Sequence, residues 1–230
     1  MYSIYKYFIN LLIVGCAFSS LYGQQAEAVK NDTTKHIRYN GFRVDVDVSP
    51  IITSFLNKGE VFNYEAAVQV NLNNKFYPVF EMGYSGASKT TTSDINYQGD
   101  ALFYRLGLDF NLMKQKESKK KLNNVFLFGG RLGFSNFSYD LTGIQYSDDY
   151  WGAGEVIDKK NILATKLWFE IVAGIRVEIA KNIFLGWTVR TKSMLTKDNP
   201  GDIKPWHVPG YGINSDSGVW GFNYTLGYKF

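Results

Sequence analysis

The sequence predicts an all-β protein: an eight-stranded antiparallel transmembrane β-barrel with short periplasmic turns and long extracellular loops. Three observations carry this prediction. Apolar and polar residues alternate with period two through eight segments, and successive side chains of a strand point to opposite faces. The connections between segments are alternately short and long, as in an even-numbered membrane barrel. The last segment, Trp220 to Phe230, alternates without a fault and ends on an aromatic residue, the usual finish of a bacterial outer-membrane barrel.

Taken in order, the first segment (about 38–48) sets Phe42, Val44, Val46 and Val48 against Arg43, Asp45 and Asp47. The second (61–72) opposes Phe62, Tyr64, Ala66, Val68 and Val70 to Glu65 and Gln69, and the third (77–87) opposes Phe80, Met82 and Tyr84 to Glu81. The fourth (100–112) carries Leu102, Tyr104, Leu106, Leu108 and Phe110 against Arg105 and Asp109. The fifth (124–138) sets Phe126, Phe128, Leu132 and Phe134 against Arg131 and Ser135. The sixth (164–180) alternates Leu167, Phe169, Ile171, Ala173, Ile175 and Val177 with Lys166, Glu170, Arg176 and Glu178. The seventh (183–194) sets Ile183, Leu185, Trp187 and Val189 against Arg190 and Lys192, and the terminal strand is the eighth. Short turns follow the second, fourth and sixth segments; long loops (49–60, 88–99, 139–163 and 195–218) follow the others. Both termini then lie on the periplasmic side.

Composition agrees. Aromatic residues make up 17% of 230, with 22 glycines and only 5 prolines, which favours strands and tight turns. After the amino-terminus no apolar run approaches the roughly 20 residues of a spanning helix. Residues 1–23 read as a signal peptide, with Lys6 before an apolar core and Ser19-Ser20-Leu21-Tyr22-Gly23 as the exit. Ile13-Val14-Gly15-Cys16 also fits a lipobox, but the apolar Ala17-Phe18 beyond it favours plain cleavage near Gly23. Residues 24–37 form a polar periplasmic lead-in, and 38–230 form the barrel. Loss of Lys6 takes the net charge from +4 to +3, too little to argue for nucleic acid.

The apolar wall should face lipid. About forty mostly large residues are more than an eight-strand interior holds at protein density. None of them is charged, and a lipid-facing Lys or Arg at mid-bilayer costs roughly 2–4 kcal/mol. The lumen then contains Arg43, Arg105, Arg131, Lys166, Arg176, Arg190 and Lys192 with Asp45, Asp47, Glu65, Glu81, Asp109, Glu170 and Glu178. Seven cations and seven anions in so narrow a space predict matched pairs and a closed ionic core, not an ion pathway.

Candidate chemistry is sparse. His36 lies in the lead-in. His207 sits in the loop Lys204-Pro205-Trp206-His207-Val208-Pro209-Gly210-Tyr211-Gly212, expected to be structured and folded onto the barrel rim or against a partner, with Trp206, His207 and Tyr211 as interaction candidates. A lipid-modifying enzyme would need His207 to activate Ser193, Ser215 or Ser217, with Asp216 as orienter, but no nucleophile motif surrounds these serines. In the third long loop, Tyr146, Tyr150 and Trp151 argue better for an interaction surface than Asp148, Asp149, Glu155 and Asp158 argue for Ca²⁺. The basic turn 114–121 is expected to be solvated. No metal or cofactor is expected.

Phe103-Tyr104-Arg105-Leu106-Gly107-Leu108-Asp109, Phe128-Gly129-Gly130-Arg131-Leu132-Gly133-Phe134-Ser135, Trp168-Phe169-Glu170-Ile171-Val172-Ala173-Gly174-Ile175-Arg176, Leu185-Gly186-Trp187-Thr188-Val189-Arg190 and Val208-Pro209-Gly210-Tyr211-Gly212 occur together before the terminal aromatic strand. As a set they resemble a Bacteroidota-type family of small outer-membrane β-barrels of unknown function, OmpA/OmpX-like in architecture. The resemblance implies a Gram-negative envelope and offers no catalytic residues to carry over. It also implies a non-enzymatic accessory role beside a lipoprotein or larger barrel, in an assembly or secretion machine. An adhesin or small transport barrel is a further alternative. The expected surroundings are outer-membrane lipid and lipopolysaccharide, with Phe230 read by the barrel-assembly machinery.

Overall fold

Period-two segments become strands here, and the strands close on themselves. The computed structural model describes residues 37–50, 60–91, 94–113, 124–145, 156–197, 203–215 and 217–230. Its strands are β1 (Tyr39–Asp47), β2 (Val61–Leu72), β3 (Phe76–Thr90), β4 (Asn96–Asn111), β5 (Val125–Gln145), β6 (Val156–Ala180), β7 (Ile183–Met194), β8 (His207–Val208), β9 (Gly212–Ile213) and β10 (Val219–Lys229). Eight of these form a closed antiparallel barrel in the order β1-β10-β7-β6-β5-β4-β3-β2; β8 and β9 form a separate small hairpin. The fold is therefore an eight-stranded antiparallel β-barrel.

One end, the turn end, carries tight connections. Asn73 and Asn74 (φ 57° and 55°) and Asn182 (φ 64°) take the left-handed conformation there, which asparagine tolerates better than most residues. The carboxy-terminus is fastened at this end: Phe230 N–H donates to Phe42 C=O (2.9 Å), and the two rings stack at 4.7 Å.

Two expectations about element length are corrected at the opposite, loop end. β5 runs on to Gln145 and β6 begins at Val156, so much of the expected 139–163 loop is strand. These extensions mix polar and apolar residues and pair with each other, Tyr139 opposite Ile162 and Gln145 opposite Val156, while β5 also stays paired with β4 as far as Thr142. The 195–218 connection is likewise not a surface loop throughout, because β8 and β9 lie within it.

The outer wall is apolar. Phe80, Met82, Leu106, Phe128, Leu132, Phe169, Ile171, Ile175, Val189 and Phe222 are all exposed. From Leu167 to Ile179, at about 3.3 Å per residue and a tilt near 40°, the belt is roughly 30 Å tall. A wall of that height and composition suits hydrocarbon and not water.

Candidate functional site

The charged residues of the inward face meet at mid-height because the register aligns them. Glu81 on β3 pairs with Arg105 on β4, Arg131 on β5 with Glu170 on β6, and Glu170 with Lys192 on β7. The result is a shared lattice and not the seven matched pairs expected from counting charges. Arg105 reaches Glu65 (2.8 Å), Glu81 (2.9 Å) and Glu170 (2.9 Å). Arg131 reaches Glu81 (2.9 Å) and Asp109 (2.7 Å), and Arg190 reaches Glu81 (3.0 Å), Glu170 (3.1 Å) and Glu65 (3.4 Å). Every one of these side chains is buried. A guanidinium presents five donors in a rigid fork, so one arginine serves several carboxylates and equal numbers are not required.

The remaining predicted lumen residues take other partners. Arg43 pairs with Asp45 (2.6 Å) near the turn end. Arg43 and Arg176 both donate to the side-chain carbonyl of Gln69 (3.2 and 2.7 Å), whose amide donates to Asp109 (2.8 Å). Asp47 accepts from Ser49 and Asn223. Glu178 accepts the Asn182 N–H (3.1 Å), and Lys166 is buried on β6. Lys192 donates to the backbone carbonyls of Gly210 (2.7 Å) and Tyr211 (3.0 Å). Such contacts were not foreseen, because an acceptor supplied by a loop backbone leaves no mark in charge patterning.

Above the lattice the interior changes character. Tyr97, Phe103, Phe137, Tyr139, Leu141 and Trp168 point inward and enclose Val208 and Tyr211. The stretch 205–211 is folded into the barrel as a plug, while Lys204 and Ile213 on either side of it are exposed. The loop expected to fold onto the rim or against a partner thus goes deeper, and its three candidate interaction residues are not offered to a partner: His207 is 2% exposed and Tyr211 is 0% exposed, while Trp206 is partly buried against the same cluster. The plug enters because the barrel gives its polar backbone partners. Tyr97 Oη donates to His207 C=O (2.7 Å), Arg105 Nη2 donates to Gly210 C=O (2.8 Å), and Tyr139 Oη donates to Ile203 C=O. Gly210 (φ 78°) lies against the Phe103 ring, where a Cβ would collide. The Arg105 guanidinium carbon stands 4.5 Å from that ring's centroid, so one residue joins lattice and plug.

Within the plug, burial and the nearby Lys192 ammonium push the His207 imidazole down to about 4, leaving it neutral at ordinary pH. Its Nδ1 is buried without a hydrogen-bond partner. The serine partners considered for it are not assembled among the described residues. Ser193 is exposed on β7, and Ser215 and Ser217 share a hydrogen bond with each other (2.8 Å). Asp216 lies outside the described residues, as do His36, Cys16, Tyr146, Tyr150, Trp151 and the 114–121 turn. Of the third loop's acids, Asp158 accepts the Gly143 N–H (3.0 Å), and among the described residues no cluster of His, Cys, Asp or Glu could hold a metal ion.

The profile described as a domain of unknown function, DUF6048, matches residues 4–230. The chain belongs to the DUF6048 family. A crystal structure of Neisserial surface protein A (NspA) is similar at a TM-score of 0.45 and 10% identity, over 84% of this chain and 99% of that one. No curated protein matches the sequence.

Proposed function

We propose that this family member is a closed outer-membrane barrel of a Gram-negative, Bacteroidota-type envelope that works by holding partners and not by catalysis or conduction. The observation that carries the reading is the pairing of an uncharged apolar outer belt with an interior occupied by lattice and plug, which leave a cavity of about 220 Å³ beside Glu65, Lys192 and Tyr211. A barrel filled in this way has its outer rim left with which to act. Short turns and both barrel termini on one end then face the periplasm, with the long loops outside. Its lipid neighbours are outer-membrane lipid and lipopolysaccharide, and Phe230 is the end offered to the barrel-assembly machinery. A lipoprotein or a larger barrel in an assembly or secretion complex is the partner that this role implies.

Extraction of native membranes in mild detergent, followed by size analysis, tests the reading. The chain should migrate in a complex with a lipoprotein or larger barrel, and planar bilayers containing the purified protein should show no stable conductance. A lone monomer that deacylates lipid A, or a steady open channel, would overturn it.

A further inference from the structure

β6 has a strand neighbour on both sides only along its turn-end part. β7 pairs with it from Trp168 to Ala180 and then leaves the sheet. At the departure point the N–H groups of Leu195 and Thr196 both donate to Leu167 C=O (2.9 and 3.2 Å), and Leu167 N–H donates to Thr196 Oγ1 (2.8 Å). Beyond Leu167, β6 continues to Val156 with β5 along one edge. Among the described residues no strand covers its other edge. Since Leu167 turns its N–H and C=O toward β7, period two turns those of Thr165 and Leu163 the same way, onto the open edge.

This edge lies beyond the apolar belt. The outward face turns polar at Asn136 and Ser138 on β5 and at Thr165 on β6, and an open edge is not tolerated in hydrocarbon. A hollow of about 280 Å³ runs beside Ile162–Lys166, walled on its far side by Thr196, Lys197, Ile203 and Pro205. The Leu163 side chain is 79% exposed.

Charge selects the occupant. Lys159, Lys160 and Lys197 are exposed, and among the described residues none is in an ion pair. Among the described residues the nearby acids are engaged with backbone: Asp140 accepts the Asn161 N–H (2.8 Å) and Asp158 accepts the Gly143 N–H (3.0 Å). Two copies joined edge to edge and antiparallel over residues 156–167 would set Lys159 and Lys160 opposite Ala164 and Leu163; this crowds four ammonium groups within a few residues with no facing acid, which like-charge repulsion opposes. We propose that the Ile162–Lys166 edge of β6 binds an extended, net-acidic segment of another protein as an added strand. Main-chain bonds to Leu163 and Thr165 would hold the segment, and the lysines would select its charge. This rests on the interaction role proposed above and supplies its docking site.

The test is fluorescence anisotropy on the full chain in detergent micelles, with a labelled, end-capped peptide of alternating Glu and Val. The same peptide with Lys for Glu is the control. Saturable binding of the acidic peptide is expected, at least tenfold tighter than the control. Leu163→Pro and Thr165→Pro should each weaken it at least tenfold, because each removes an edge N–H and leaves the β5 ladder intact. Leu163→Thr, which keeps the N–H, should bind. Lys159→Glu with Lys160→Glu should reverse the charge preference. Should the proline variants misfold, a Thr165→Cys chain should form a disulfide with a peptide carrying a central cysteine, and Asn136→Cys should not. Lack of saturable binding, equal binding of both peptides, binding indifferent to all edge changes, or self-linked Thr165→Cys dimers would each overturn the proposal. None of these results alters co-purification from native membranes, so the broader role stands or falls separately.

Discussion

At mid-height the barrel is filled by arginines and carboxylates; at the loop end the same strands enclose aromatic rings and a hairpin that packs its side chains among them and is hydrogen-bonded through its backbone carbonyls. The two tiers depend on the fold in opposite directions. Glu81 on β3 is satisfied only when β4, β5 and β7 have delivered Arg105, Arg131 and Arg190, so the lattice is complete only in the closed barrel. The plug is anchored through carbonyls to the barrel side chains Tyr97, Arg105 and Lys192, of which Arg105 is already held by the lattice. The lattice therefore holds the barrel, and the barrel holds the plug.

The largest effect should come from the lattice. Glu81→Ala leaves three buried guanidinium groups short of a shared acceptor, and breaking buried ion pairs from one side costs about 3–5 kcal/mol. Urea unfolding of the variant in lipid should show that loss in the whole-barrel transition. If only the plug loosened and the barrel transition stayed put, the division between tiers would be wrong.

An acid-sensitive plug is expected next. His207 is held at about 4 in the folded chain, below its ordinary value near 6.5. Between those values the free segment takes up a proton that the docked one refuses. The part of the docking energy that His207 contributes is therefore complete above about pH 6.5 and fades as pH falls toward 4, by about 3 kcal/mol in all. Hydrogen exchange of the 207–213 amides across pH 4–7, corrected for the intrinsic rate, should show this loss. His207→Gln should flatten it. An equal acid response in that variant would assign the effect to the carboxylates of the lattice.

How far each tier was legible in the sequence follows from how local its causes are. Parity alone put Arg105, Glu81, Arg131 and Glu170 on the inner wall, and it carried the outer belt as well. The aromatic tier had a signal too: Phe103 shares parity with Arg105, Trp168 with Glu170, and Phe137 and Tyr139 with Arg131. Four large rings on an otherwise polar wall mark where something apolar must enter. The loop 204–212 was legible as structured from its two prolines and two glycines, but its entry into the barrel was not. Its strands are two residues each, and its Tyr97 anchor is 110 positions away. The loop-end extensions of β5 and β6 were hidden for a different reason, since residues such as Asp140, Lys159 and Lys160 are polar on both faces once the strands leave the belt.

The smallest change gives the sharpest separation of the tiers. Tyr97→Phe deletes one hydroxyl, keeps the ring against Tyr139 and Trp206, and leaves the lattice untouched. Loss of one such bond costs about 1 kcal/mol. It falls on the plug alone, because His207 C=O belongs to the hairpin and not to a barrel strand. Exchange of the 207–213 amides should quicken roughly fivefold, while the urea midpoint of the barrel stays where it was. A matched fall in both would mean that plug and barrel unfold as one unit, and the hairpin would then be part of the barrel's core and not its guest.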